Sequence, residues 1–437
     1  MRLALPHMLF RSLTTVLLLV IGFLLGWICA IVLIAGGPLP APFSALVGQG
    51  RIANTATPAK LRDQFAVFWE VWDLVDAQFY QRDKLDQTRM IRGAINGMLS
   101  SLEDPYTVYQ EPNLAAQTND HLQGKLGGIG TYLRVSDGHA FLHKPFKNGP
   151  AAQAGLQNDD EIMAVDEQLV ATIIAGLDPN EASVQLASKL RGPEGSTVVL
   201  RIQRASETSQ REVSLVRRDI VVPSVEALML ERRVAYIRIT EFKGNTTAEF
   251  DEALRSLLLQ QPAGLILDLR NNPGGLLSGA QETLGRFYTG VALYEIDYQG
   301  QETQLETIVG PENVRVGDLP VVVLINAGTA SASEIVAGAL HDQRPHTILL
   351  GEKTFGKGSV QHIFPLQDGG NARVTFAHWF TPKHGLIHGQ GISPDQSLPY
   401  SDAPGTAVTC IAERQPIPGE QLCNDNQLFA AIQQLGR

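Results

Sequence analysis

The chain lacks any basic tract: its 35 lysines and arginines face 45 acidic residues, for a net charge of −10. Affinity for nucleic acid depends on cations that neutralise phosphates, so a nucleic-acid partner is excluded. Cysteine is just as scarce, three in 437 residues. Cys29 follows Trp27 and Ile28, where a lipidation signal needs small residues. Cys410 and Cys423 have no catalytic context; an oxidising compartment would permit a disulfide between them, but spacing alone does not pair them. No internal repeat is present. With 44% hydrophobic residues the chain is globular, and its length calls for more than one core.

Charge is missing altogether between Arg11 and Arg51. Within that stretch Leu13 to Gly36 is almost unbroken apolar sequence, long enough to span a bilayer. The apolar region of a cleaved signal is only about 7–15 residues, so an uncleaved anchor is the favoured reading. Arg2 and Arg11 precede the run, which places the N-terminus in the cytoplasm. The expectation is a single-pass protein of the cytoplasmic (inner) membrane whose working domains face the periplasm or cell exterior.

After residues 1–36, a Gly-, Pro- and Ala-rich linker is expected over 37–60 and a helical region over 61–118. Phe65, Phe68, Trp69, Trp72, Leu74 and Val75, then Met90, Ile91, Ala94 and Met98, recur at helical spacing and predict two amphipathic helices, their stripe serving as core or dimer interface. Asp104-Pro105-Tyr106 ends the second. Short β-type runs then mark a compact module over 119–206. From 207 to 400 buried strands such as Ala235 to Ile239, Leu265 to Leu269 and Val321 to Asn326 alternate with helical stretches, predicting an α/β core. A tail follows over 401–437, with a helix near Gln427 to Leu435.

Three segments of that core carry candidate chemistry. Val321 to Glu334 reads as a buried strand, a small-residue turn and a helix start, a geometry that exposes one side chain, Ser331. The same Ser331-Ala332-Ser333-Glu334 fits a capping box, so the local pattern does not decide between cap and nucleophile. Thr354-Phe355-Gly356-Lys357-Gly358-Ser359-Val360-Gln361 returns a lysine 26 positions later, and a buried lysine can act as a serine's base. Gly351-x4-Gly356-Lys357 also approaches a Walker A loop. Gly358 stands where a Mg²⁺-binding Ser or Thr is required, and a strand-like run follows instead of a helix, so nucleotide binding is rejected. The third segment, Leu265 to Gly275, is a strand that runs into Asn-Asn-Pro-Gly-Gly, whose glycines let backbone approach a substrate.

The module offers Lys125-Leu126-Gly127-Gly128-Ile129-Gly130-Thr131, a glycine turn able to receive a peptide carboxylate, followed by Gly149 to Leu156, Asp159-Asp160-Glu161-Ile162 and Leu190-Arg191-Gly192. That ordered set resembles a PDZ domain. Behind it, the Arg-Asn-Asn-Pro-Gly-Gly, Thr-Ala-Ser-Ala-Ser-Glu and Phe-Gly-Lys-Gly-Ser-Val-Gln segments resemble the C-terminal processing peptidases, tail-specific serine proteases of family S41. The likeness also takes in Phe68 to Trp72, Ser101 to Thr107, Tyr236 to Ile239 and Gly389 to Asp395, and covers roughly residues 65 to 397.

The resemblance implies a multidomain α+β chain: an N-terminal transmembrane helix, a helical region, a β-rich PDZ domain, and a mixed α/β ClpP/crotonase-like protease core. It implies Ser331 as nucleophile, Lys357 as base and Gln361 as the group orienting the lysine. The N–H groups of Ala332 and of Gly274 or Gly275 would form the oxyanion hole. Gly127, Gly128, Ile129 and Gly130 would hold the peptide terminus, and Arg191 would couple the domains. No metal or cofactor is implied. The expected partners are proteins with exposed apolar C-termini and the membrane, with room for a homodimer or a regulatory adaptor. A non-catalytic PDZ scaffold on a degenerate protease fold is the competing expectation.

Overall fold

The computed structural model describes residues 59–411 and 422–436. The proposed span within 1–36 and most of the 37–60 linker lie outside the described residues. Among those described, no helix is long and apolar enough to cross a membrane. The chain forms two compact units, one ending at Arg92 and one beginning at Gly93. In the first, α1 (Arg62–Gln78) carries the aromatic stripe, with Phe68 and Trp69 ring centroids 5.1 Å apart. Trp69 is 52% exposed, so the stripe is not buried in the chain's own core. Helix α2 (Gln87–Ser100) follows.

In the second unit, β1 (Val108–Gln110) and α3 (Pro112–Leu122) lead into the β-rich module. The module comprises β2 (Lys125–Gly128), β3 (Tyr132–Ser136), β4 (His139–His143), α4 (Pro150–Gln153), β5 (Glu161–Val165), β6 (Gln168–Leu169), α5 (Val170–Ile173), α6 (Pro179–Leu190), β7 (Thr197–Gln203), β8 (Arg211–Val216) and β9 (Arg218–Val221). An antiparallel sheet runs β3-β4-β5-β7-β8, with β6 on β5, and β2 pairs with β9. Alternation along β7 places Val198, Leu200 and Ile202 in a core shared with Leu186 and Leu190 of α6. The boundary expected at 206 is therefore corrected. Residues 204–210 form the hairpin turn that brings β8 back onto β7, and their polar composition mimics a linker.

The core continues with β10 (Val225–Leu230), β11 (Val234–Ile239), α7 (Thr246–Leu258), β12 (Gly264–Asp268), α8 (Leu277–Leu284), β13 (Val291–Asp297), β14 (Glu302–Glu306), β15 (Val321–Ile325), α9 (Ala332–Gln343), β16 (Thr347–Gly351), β17 (Ser359–Pro365), β18 (Asn371–Phe380) and β19 (Gln396–Ser397). Strands β10-β11-β12-β15-β16-β19 form one sheet, parallel except for β10 on β11. A second, antiparallel sheet runs β1-β18-β13-β14, with β17 on β18. Strands β12 and β15 are buried on both faces, as their unbroken apolar runs require. Leu265 and Leu267 face the core shared with α7, α8 and α9, and Ile266 faces the opposite way.

That opposite face is where the supposed tail belongs. Strands β20 (Ala407–Thr409) and β21 (Leu422–Asn424) pair, and α10 (Asn426–Leu435) lays Leu428, Ala431, Ile432 and Leu435 against Tyr236, Ile266 and Val322. Each such side chain contributes about 1.5–3 kcal/mol when fully buried. The described parts of the 401–437 segment are thus a layer of the core. Cys410 and Cys423 are disulfide-bonded across its hairpin, Cα atoms 4.9 Å apart.

Candidate active site

Strand β15 delivers the chain to a turn that puts Ser331 at φ 58° and ψ −121° immediately before α9. A non-glycine residue rarely adopts a positive φ, and such strain persists only where the surroundings enforce it. Here they do. Ala330 donates its N–H to Asn272 O at 2.9 Å, the Ser333 hydroxyl donates to the same oxygen at 2.7 Å, and the Thr329 hydroxyl donates to Leu269 O at 2.8 Å. Asn271 N–H donates to Asn326 Oδ1 at 2.8 Å, and the Asn326 amide returns a bond to Asn271 Oδ1 at 2.9 Å. The serine turn and the Asn-Asn-Pro-Gly-Gly turn are one locked structure.

Gly274, at φ +103°, lies so close that a Cβ there would sit 2.7 Å from Ser331 Cβ and 2.9 Å from the Ala332 nitrogen. The two glycines expected at the oxyanion hole are not equivalent. Gly274 N–H donates to Asn272 Oδ1 at 2.9 Å, whereas neither Gly275 N–H nor Ala332 N–H donates to another group among the described residues.

Glu334, fully buried on the first turn of α9, is the hub of the site. Its Oε2 accepts Ser331 N–H and Lys357 N–H, each at 2.8 Å. Its Oε1 accepts the Thr354 hydroxyl at 2.6 Å and Gly356 N–H at 2.7 Å. The carboxylate half of the capping box is therefore present, and the same carboxylate anchors the lysine loop. Four donors on one buried carboxylate replace its lost hydration, the condition for burying an acid.

Burial and the Arg373 guanidinium hold the Lys357 amine below its ordinary pKa, against the opposing pull of Asp104 and Glu334. Its Nζ stands 4.8 Å from the ring centroid of Tyr106, and no hydrogen bond joins it to the Ser331 hydroxyl. Gln361, on β17, donates to Ser359 Oγ at 2.9 Å and Thr375 Oγ1 at 3.2 Å. The contact to Lys357 that the resemblance implied is not made in this arrangement. Sequence reading also missed a buried polar cluster behind the glycine turn. Arg270 donates to both oxygens of Asp268, to Asp425 at 3.1 Å and to Gln427 at 3.0 Å, while Tyr236 donates to Asp268 at 2.8 Å. The Asp-x-Arg pair at the end of a buried strand was its available signal.

The chain's residues 233–398 match the model of peptidase family S41, and residues 47–113 match that of the activating protease CtpB N-terminal domain. It is 35% identical to carboxy-terminal processing protease CtpB of Bacillus subtilis over 76% of this chain and 67% of that protein. It is 37% identical to a carboxyl-terminal-processing protease of Synechocystis sp. over 81% of this chain and 86% of that protein. The chain belongs to peptidase family S41. It is a serine-type peptidase of the carboxy-terminal processing group.

In this S41 peptidase the β-rich module presents a cleft of about 370 Å³ between β3 and α6. Gly128, Ile129 and Gly130 line one wall and Ala187, Leu190 and Arg191 the other. Gly127 does not line it; it stacks against the backbone of Gly192, whose N–H donates to Gly127 O at 3.2 Å. Strand β3 is the sheet's edge, so its outer ladder positions face the cleft. Val222 and Lys243 line it as well.

Proposed function

We propose that the chain is an endopeptidase using a Ser331–Lys357 dyad to cut exported proteins near their C-termini, after the β-rich module has captured the terminal residues as a PDZ domain does. One observation carries the catalytic half of this reading: a single buried carboxylate, Glu334, accepts the backbone N–H of both the serine and the lysine. A protein that needed neither residue has no reason to lock the two turns together. The neutral Lys357 amine takes the Ser331 proton as Oγ bonds to the substrate carbonyl carbon, and the N–H groups of Gly275 and Ala332 receive the oxyanion. Collapse breaks the C–N bond, the lysine returns its proton to the leaving amine, and water activated by the same base frees the acyl group. Gln361 lies one strand residue beyond Val360, close enough in sequence to the lysine loop to orient the amine once its present bonds to Ser359 and Thr375 are given up.

The module's half of the reading is supported by the position of β3 at the edge of its sheet, beside a helix-walled cleft. An extended peptide adding there gains backbone hydrogen bonds, with its carboxylate at the glycine turn. The Cys410–Cys423 disulfide supports an extracytoplasmic setting. The Leu13 to Gly36 run is proposed as the anchor, on its sequence alone; mass measurement of membrane-extracted protein shows whether it is retained. The deciding assay offers the full chain a protein with an apolar C-terminus. Ser331→Ala and Lys357→Ala are each expected to lower the cleavage rate by a factor on the order of 10³ or more. Equal cleavage by all three proteins would sink the dyad, and binding of that protein with no cleavage by any of the three would favour a scaffold.

A further inference from the structure

The segment Asp104-Pro105-Tyr106-Thr107 has no part in the dyad mechanism, yet it is built against the base. We infer that Tyr106 is a positioning residue for Lys357: the face of its ring is the resting seat of the amine, which must leave that seat to reach Ser331. The inference rests on the Ser–Lys reading above and deepens it.

The seat is rigid. The Asp104 carboxylate accepts Tyr106 N–H at 3.0 Å and the Thr107 hydroxyl at 2.6 Å, and the Thr107 hydroxyl in turn accepts Thr375 N–H at 3.0 Å. Val108–Gln110 then continues as β1, paired with Arg373, Ala372 and Asn371 of β18. The ring is therefore mounted on the sheet whose β17 carries Ser359 and Gln361, and it cannot drift away from the lysine loop. The amine stands 4.8 Å from the ring centroid, within the range over which an aromatic face attracts a cation.

The chemistry of that contact is one-sided. A π face stabilises an ammonium and does nothing for a neutral amine, so it works against the protonation state the mechanism needs. Four groups face the site from the surrounding elements. Asp104, from the segment before β1, and Glu334, from α9, favour the charged amine. Burial and Arg373, from β18, disfavour it. Tyr106 itself titrates high, because burial and the same two carboxylates penalise its anion, so it stays a neutral ring. Moving off the ring removes a contact that only the charged form enjoys, so the approach to Ser331 and the loss of the lysine's proton favour one another. Position and basicity are coupled through Tyr106.

The sign of the test follows. The ring raises the lysine's pKa at rest, so removing the ring lowers it. In the full chain carrying Ser331→Ala, Lys357 is labelled with an amine-reactive reagent across pH and read by mass spectrometry of its own peptide, with Lys353 as internal reference. Tyr106→Leu is expected to move the Lys357 labelling midpoint down by about half a pH unit or more, and Tyr106→Phe, which keeps the ring, to leave it in place. Tyr106→Met is read in place of the leucine variant should that protein not fold. With Ser331 restored, the acid limb of kcat/KM should move in the same direction for the leucine variant and not for the phenylalanine one. An unmoved or raised midpoint in the leucine and methionine variants, or an equal shift in the phenylalanine one, overturns the inference. If Lys357→Ala cleaves like the native chain, the dyad reading fails by itself, while the labelling still reports whether the amine rests on the ring.

Discussion

Glu334 shows how one side chain can carry two roles that look like alternatives in sequence. As the fourth residue of Ser-x-x-Glu it caps α9, and as a buried carboxylate it accepts N–H groups from Ser331, Gly356 and Lys357 and the hydroxyl of Thr354. Glu334→Gln keeps the shape but replaces one acceptor oxygen by a donor, so at least one buried N–H faces another. Lost charge-assisted bonds of this kind cost about 1.5–3 kcal/mol each. The expected result is an unfolding free energy in urea lowered by roughly that amount and kcat reduced on the order of 10²-fold, with KM changing less, because substrate contacts are untouched. A kcat equal to the native chain's would show that the two turns hold their geometry without the hub. Legibility at this scale was uneven. Ser331 and Lys357 stood out by type and company. Tyr106, Asn272 and the second use of Glu334 did not, because their partners are 20 or more positions away and a hydrogen bond across turns leaves no period in the sequence.

At the scale of elements, apolar runs predicted the buried strands to within a residue or so, since β12 and β15 are covered on both faces and admit little else. The misjudged elements were polar where they join: the 204–210 hairpin turn and the segment after 400. The latter holds β20, β21 and α10, and it reaches the strand end before the Asn-Asn-Pro-Gly-Gly turn through charge. Arg270, 5% exposed, bridges Asp268 to Asp425 and Gln427, and four residues on from Arg270 is Gly274. Removing the guanidinium takes its positive charge away from two buried carboxylates, so Arg270→Met should cost about 3–5 kcal/mol in urea unfolding. The same cluster gives an acid limit. Burial pushes the Asp268 carboxyl up, but Arg270 more than reverses this and leaves it below its ordinary 3.8. A depressed folded-state pKa contributes stability that is present above 3.8 and lost as pH falls below it, so this contribution should fade only under that value. Two residues before Asp425 lies the disulfide, closing a separation of 13 residues. Changing both cysteines to serine should lower stability by roughly 2–3 kcal/mol. Hydrogen exchange should show α10 loosening first; a midpoint unchanged from the native chain would mean that the hairpin holds without its bond.

If the module captures peptide termini as proposed, the question for the whole molecule is how an acidic chain attracts a carboxylate. With a net charge of −10 the average field repels anions, so a peptide terminus needs a local exception. The cleft between β3 and α6 offers one, because His121, Lys243 and Arg191 are among the residues that line it. Two of these are already committed, since His121 and Lys243 both pair with Glu241, at 2.8 and 3.3 Å. Arg191 has no ion pair among the described residues, and it sits where the module meets the protease core, at the end of α6. A free-acid peptide with an apolar terminus should therefore bind full-chain Ser331→Ala more tightly than its amide does. Adding Arg191→Ala should weaken the free acid by about 2–5-fold, the range of an exposed charge pair. The amide should not notice that substitution, and the difference should shrink as salt rises, because screening acts on the charge term alone. Titration by fluorescence anisotropy at low and high salt separates these four cases. Equal binding of acid and amide at low salt would place the recognition in the apolar walls of the cleft and leave Arg191 no share in it.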